Sequence, residues 1–319
     1  MTTGPEESDE RRALRFVLAG VAALEIVVLA QRVLAQAAEA RLRGTQEPAL
    51  VAWLSRGPIV VVVVGIGLVA LAYFARRGAR LGPGLVGLVA LATLEHTHAA
   101  LFIGGHQRAY FAVGSMLGGW FVGLLFARAL STSGTRRVAL DETLAEAGAL
   151  AGLAATYVDS GLSKLTKAGW MWTDATTLRS AILSNHDIDD TSPLASFGRF
   201  VVEHDAVARA FSVATIVVQL GAVLYVLGPR LRILWGTLLL AFHVNVALTT
   251  QILYLYNCIL LVAFSFPWAR ILRRKAAAPP RPPALAPGQT RRAALVVAPW
   301  IAFAVAAAWV TRALGIVGP

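Results

Sequence analysis

The sequence predicts an all-α, polytopic membrane helix bundle with about nine transmembrane helices. Three observations predict it. Of 319 residues, 57% are hydrophobic and only 15% charged, where soluble domains carry roughly a quarter. Apolar runs long enough to cross a hydrocarbon layer of about 30 Å follow one another through the chain. The net charge of +11 is concentrated between those runs, as membrane topology requires, which argues against a nucleic-acid-binding surface.

The spans fall near 13–38, 57–75, 84–103, 109–130, 142–163, 207–228, 231–249, 252–269 and 293–315. Residues 1–270 form the main transmembrane domain. The Pro- and Arg-rich stretch 271–292 reads as a cytoplasmic linker, and 293–319 as a C-terminal transmembrane helix. Ala35-Gln36-Ala37 has the small-residue pattern of a signal-peptide cleavage site. The first apolar run is long for a signal peptide and contains Glu25 and Gln31, so a retained helix is expected. The stretch 164–205 is polar, acidic and Trp-bearing, and reads as a surface loop or an interfacial re-entrant segment. No internal repeat is visible.

With a cytoplasmic N-terminus and nine alternating spans, 18 of the 29 Lys and Arg residues fall on the cytoplasmic side. They include Arg11, Arg12, Arg76, Arg77, Arg136, Arg137 and the basic linker. This asymmetry predicts a multi-pass protein of the cell membrane with the N-terminus inside. The lipid bilayer is then its first partner, and the 164–205 region faces outward.

Ionisable and polar groups at membrane depth are costly, which makes them functional candidates. The third span carries Glu95 and His96, with His106 in the loop beyond. The fifth ends in Tyr157-Val-Asp159-Ser-Gly161-Leu-Ser-Lys164-Leu165. The seventh contains Phe242-His243, and the eighth begins with Tyr254, Tyr256 and Asn257. The predicted topology brings nearly all of them to the outer half of the membrane. Each also has a structural reading. His243 can serve as an interhelical hydrogen-bonding residue, Lys164 as a snorkelling lysine, and Glu95 with His96 as a structural pair. Trp170, Trp172, Tyr254 and Tyr256 suit an aromatic belt.

Metal chemistry fits the sequence poorly. His96 and His98 are two apart, about 200° around a helix, and cannot chelate one ion from a single face. The six histidines lack paired HxxxH spacings, and the single cysteine, Cys258, excludes a Cys-ligated cluster. No metal is expected.

Tyr157 to Leu165 (YVDSGLSKL), Trp170–Trp172 and Phe242-His243 together resemble the vitamin K-dependent gamma-carboxylase group. The membrane part of that group is called the HTTM (horizontally transferred transmembrane) domain. The resemblance covers roughly residues 15–270. Its motif Tyr-x-x-Ala/Ser-Gly-x-x-Lys-Leu is followed by a tryptophan and a short amphipathic helix, and a later helix carries Phe-His. Gly104-Gly105-His106-Gln-Arg-Ala-Tyr110 is the nearest match to the family's Asn-His-x-Tyr-like element, with Gly105 in place of Asn. The large lumenal domain that follows the family's membrane part has no counterpart in this chain, which has only the linker and one more helix.

The resemblance implies that Lys164 is a base acting on a reduced vitamin K-type quinone and that His106 assists it. His243, Tyr157, Asn257, Glu95, His96 and Trp170 are then candidates for contact with a quinol-like or membrane-presented substrate. Two alternative readings stay open: a non-catalytic partner or maturation factor for an exported peptide, and a small-solute transporter.

Overall fold

The computed structural model describes residues 9–44, 48–77, 81–101, 111–130, 135–185, 192–268 and 271, and among them the regular structure is entirely helical. The chain divides into two units. Unit 1 comprises residues 1–153 and 268–275, and unit 2 comprises 154–267 and 276–319.

In unit 1, α1 (Asp9–Arg43) is apolar on nearly all sides of its middle stretch, yet its faces are used differently. Leu18, Ala22, Ile26, Leu29, Val33 and Ala37 recur at spacings of three and four, which brings them to one side, and they are buried. Phe16, Leu24, Val27 and Leu34 are exposed, as suits side chains that meet lipid. The short α2 (Ala49–Leu54) leads into α3 (Gly57–Arg77) and α4 (Leu81–Leu101), and α1, α3 and α4 pack on one another. Gly67 makes this possible: a Cβ there would stand 2.9 Å from Ala90 Cβ on α4 and 3.0 Å from Ile26 Cδ1 on α1. The buried Arg15 donates from Nε to the carbonyl oxygen of Ala75 at 3.0 Å. A cation is thereby placed at the C-terminal end of α3, where the helix leaves carbonyls without intrahelical donors.

Next come α5 (Phe111–Leu130) and α6 (Thr135–Ala168), the boundary between the units falling within α6. Inside unit 1 these helices meet backbone to backbone. Gly119 and Gly123 on α5 lie against Gly148 and Leu144 on α6, and Gly152 lies against Ser115; a Cβ on any of these four glycines would collide with a facing carbonyl. Lacking a hydrophobic drive between helices in lipid, such small residues gain stability through close approach.

Unit 2 starts with the rest of α6 and a 3-10 turn, Gly169–Trp172. Then follow α7 (Thr176–Asn185), α8 (Pro193–Glu203), α9 (Asp205–Leu220) with a 3-10 continuation at Gly221–Val226, α10 (Pro229–Thr250) and α11 (Leu255–Ser265). α10 is the common partner of α7, α8, α9 and α11. Trp235 on α10 covers Gly221 and donates its indole N–H to Val218 at 3.0 Å. Gly236 leaves room for Ser265, whose Oγ lies 3.1 Å from the Tyr225 hydroxyl.

The stretch 164–205, expected as a surface loop or an interfacial re-entrant segment, is largely helical among its described residues. α6 continues to Ala168, and α7 and α8 follow. Asp174 Oδ1 accepts the Thr176 N–H at 2.9 Å, and this hydrogen bond holds its exposed carboxyl below the usual range. Ser192 caps α8 by accepting from Ala195 N at 3.2 Å, with Pro193 in the first turn. Ala175, Leu178, Ile182, Val201 and Ala208 bury one another beneath Phe197 and Phe211. Arg179 and Arg209 both pair with Asp205.

Five described helices are long and apolar enough to cross a membrane: Arg11–Arg43, Gly57–Arg76, Gly82–Leu101, Asp205–Val226 and Pro229–Thr250. The segments expected at 109–130 and 252–269 contain the shorter apolar helices Ala112–Ala127 and Leu255–Ser265. Just before the second, Gln251 takes a left-handed conformation (φ 58°) that closes α10; residues 251–254 are not helical, and Pro267 follows α11. The fifth expected span lies in α6, whose first half carries Arg136, Arg137, Asp141, Glu142 and Glu146. Residues 272–292 of the expected linker and the ninth span, 293–315, lie outside the described residues.

The α5–α6 contact gives a direct expectation. Gly119→Ala or Gly148→Ala should force these helices apart and destabilise the protein by about 1–3 kcal/mol, the usual cost of overpacking. Gly65→Ala, which meets nothing within 4 Å, should be close to neutral. Thermal unfolding in detergent compares the three.

Candidate functional site

Unit 2 holds a buried polar cluster on α6, α10 and α11. Tyr157 and His243 are both almost wholly buried. The Tyr157 hydroxyl lies 2.6 Å from His243 Nε2, and Asn257 Nδ2 donates to the same hydroxyl at 3.4 Å. One assignment of protons satisfies both contacts and also uses the Tyr157 hydroxyl proton, which would have no acceptor in this group if Nε2 were the donor. Asn257 donates to the Tyr157 oxygen, and Tyr157 donates its own proton to Nε2. His243 then carries its hydrogen on Nδ1 when neutral.

That Nδ1 is buried and has no hydrogen-bond partner among the described residues. A buried donor without an acceptor costs about 1–3 kcal/mol, so such an atom in a native protein calls for an explanation such as strain, a functional role or a bound water or ion. The imidazole is held firmly by its neighbours. Its ring centroid lies 5.6 Å from Tyr157, 5.2 Å from Phe242 and 5.3 Å from Tyr254.

Lys164 lies seven residues beyond Tyr157, almost two full turns, so both belong to one stripe of α6 about 10 Å apart along the axis. Its Nζ donates to Ser160 Oγ at 2.9 Å, approaches the Ser160 carbonyl at 3.5 Å, and stands 5.5 Å from the centroid of the Trp172 ring. Hydroxyl, carbonyl and aromatic face are all partners that complement an ammonium. Within the stripe, Gly161 admits α9: a Cβ there would meet Gln219 Cβ at 3.1 Å. Ser212, Thr215 and Gln219 form the buried polar side of α9, and Ser212 Oγ and Gln219 Oε1 also lack partners among the described residues. The polar side of α9 is thus turned toward the Tyr157–Lys164 stripe.

Of the candidates chosen from sequence, Tyr157, His243 and Asn257 form one hydrogen-bonded group. Lys164 shares its helix face. Trp170 is 80% exposed; the tryptophan that meets Lys164 is Trp172, two residues on. Glu95 and His96 belong to unit 1, where Glu95 packs against Gly114, at 3.2 Å from the position of an added Cβ, while His96 is exposed on α4. They are not a mutual pair: adjacent residues on a helix point about 100° apart. His106 lies outside the described residues.

Sequence reasoning did not select Ser160, Ser212 or Gln219. Ser160 could have been found from its place four residues before Lys164, the spacing that sets side chains on one helical face. Gln219 and Ser212 could have been found as polar residues seven apart in an apolar span. Among the described residues no group of three or more His, Cys, Asp and Glu side chains could hold a metal ion.

Fold and site together define a multi-pass helical membrane protein with a buried, incompletely satisfied polar cluster. Compared with protein-family models, curated proteins and solved structures, the chain matches none.

The relay itself can be tested. Tyr157→Phe leaves His243 Nε2 and Asn257 Nδ2 without their common partner, and should lower stability by about 1–3 kcal/mol. Thermal unfolding in detergent measures the loss, and an unchanged midpoint would show that the relay does not form.

Proposed function

We propose that unit 2 binds the oxygen-bearing head of an apolar-tailed molecule dissolved in the bilayer, and that the chain is an HTTM-type protein related to the membrane part of the gamma-carboxylases. The observation that carries this reading is the buried Nδ1 of His243. The Asn257–Tyr157 relay orients that donor, and it has no acceptor of its own among the described residues. A quinol oxygen supplies an acceptor, and the apolar tail remains in lipid, where such a molecule already resides.

Gln219 and Ser212 offer further polar contacts on the side facing α6. Lys164 supplies the reactive group. A quinol hydroxyl that passes its proton to the Lys164 amine becomes an oxyanion, which the resulting ammonium stabilises. To accept that proton, the amine must first be neutral and leave its place between Ser160 and Trp172. This motion separates binding from chemistry: His243 holds the head group and Lys164 acts on it.

Menaquinone binding to the protein in liposomes, followed by quenching of tryptophan fluorescence, tests the proposal. His243→Phe should weaken binding roughly three- to tenfold, the worth of one neutral hydrogen bond. Lys164→Ala should bind the quinone but lose any base-dependent turnover of the quinol. Equal binding by the wild type and His243→Phe would refute the assignment.

A further inference from the structure

Unit 1 contains two carboxyl groups that the site in unit 2 does not use. Glu25 lies in the middle of α1 with no exposed surface, and neither of its oxygens has a hydrogen-bond partner among the described residues. Glu95 on α4 has its Oε1 buried and likewise unpartnered. They lie on α1 and α4, which pack on one another. Gly114 on α5 faces the Glu95 carboxyl, and a Cβ there would crowd both of its oxygens, at 3.2 and 3.3 Å.

Among the described residues, the surrounding helices provide no cation to balance these carboxyls. On α1, Arg15 is committed to the Ala75 carbonyl ten residues before Glu25, and Arg32 is exposed two turns beyond it. The ionisable groups of α3 are Tyr73, Arg76 and Arg77, all in its last turns. α2 carries none, and α5 carries none before Arg128. On α4, His96 is exposed, and His98 Nδ1 is 2.8 Å from Gln36 Oε1. Arg11 pairs with Glu146 near the start of α1. An ionised carboxylate with neither donor nor counter-ion is not sustained in an apolar interior; it takes up a proton instead.

We propose that Glu25 and Glu95 are a proton-binding site of unit 1, each holding a proton as the neutral acid within the bilayer. The ligand is the proton rather than a metal: two carboxyls on separate helices offer a cation too few ligands, and no metal-binding group of three occurs among the described residues. Gln36 and His98 extend the polar track. Gln36 lies on the same face of α1 as Glu25, eleven residues on, and His98 lies one turn beyond Glu95.

Infrared difference spectroscopy of the full-length protein in lipid at neutral pH tests this. The spectrum of wild type minus Glu25→Gln, and that of wild type minus Glu95→Gln, should each contain the carbonyl stretch of a protonated carboxyl group. The double variant should lack both bands. Because glutamine has nearly the shape of the neutral acid, both variants should keep the wild-type unfolding temperature. Carboxylate bands in the difference spectra, in place of the carbonyl stretch, would overturn the proposal. Loss of the carbonyl stretch on adding sodium at constant pH would overturn it too, by revealing a cation site. If a variant fails to fold, the wild type alone decides. Dicyclohexylcarbodiimide, which attacks protonated carboxyls in apolar surroundings, should leave an adduct on Glu25 or Glu95 that fades as the pH is raised. Absence of such an adduct would count against the proposal.

Discussion

In the interior of a bilayer no water is at hand to satisfy a polar atom, so each must find its partner within the protein. Most of the described polar groups obey this constraint locally. Thr93, Thr97, Thr237, Thr249 and Thr250 return their hydroxyls to carbonyls one turn back. Trp235 donates to Val218, Tyr225 pairs with Ser265, and His98 pairs with Gln36. Against that background some of the unsatisfied atoms stand out: besides Arg179 Nε and Arg232 Nε, they are His243 Nδ1, Gln219 Oε1 and Ser212 Oγ in unit 2 and carboxyl oxygens of Glu25 and Glu95 in unit 1. Both functional proposals follow from which of these atoms are donors, acceptors or acids.

Packing sets where those atoms lie. Glycines at 119, 123, 148 and 152 let α5 and α6 touch along their backbones, and Gly161 lets α9 approach α6 between Tyr157 and Lys164. Gly221 and Gly236 seat the two sides of α10 against Trp235 and Ser265 contacts within unit 2. Within unit 2, a methyl group at Gly161, Gly221 or Gly236 would meet a neighbouring side chain and shift a helix of that unit. Small residues that stabilise helix contacts in lipid thus set the α5–α6 contact in unit 1 and, through Gly161, the approach of α9 to the polar cluster in unit 2.

Much of this was legible in the sequence because lipid imposes a simple rule on composition. The apolar runs at 13–38, 57–75 and 84–103 coincide with α1, α3 and α4, and the run at 231–249 with α10. Tyr157, His243 and Asn257 were identifiable as polar residues at membrane depth. Other features were not legible. The helices α7 and α8 were hidden by the polar composition of 164–205, since their burial is confined to a few residues such as Leu178, Ile182 and Val201. The short α11 was hidden because an apolar run does not reveal that its first residues, 252–254, are not helical and that the helix ends at Ser265. Trp172 could not be separated from Trp170, because the 3-10 turn that points one at Lys164 and exposes the other depends on Gly169, with φ of 56°. Gln219 is one polar residue in an apolar run, and nothing in the sequence sets it opposite Gly161.

The central claim is that His243 presents a hydrogen-bond donor at Nδ1 while Nε2 accepts from Tyr157. Nitrogen NMR of the protein in lipid bilayers, with histidine labelled at both ring nitrogens, reads this directly. The expected spectrum for His243, assigned by its loss in His243→Phe, is that of a neutral ring with the proton on Nδ1. Addition of menaquinone should shift the Nδ1 resonance more than that of Nε2. A proton on Nε2, or an Nδ1 signal indifferent to the quinone, would contradict the relay and the binding site built on it.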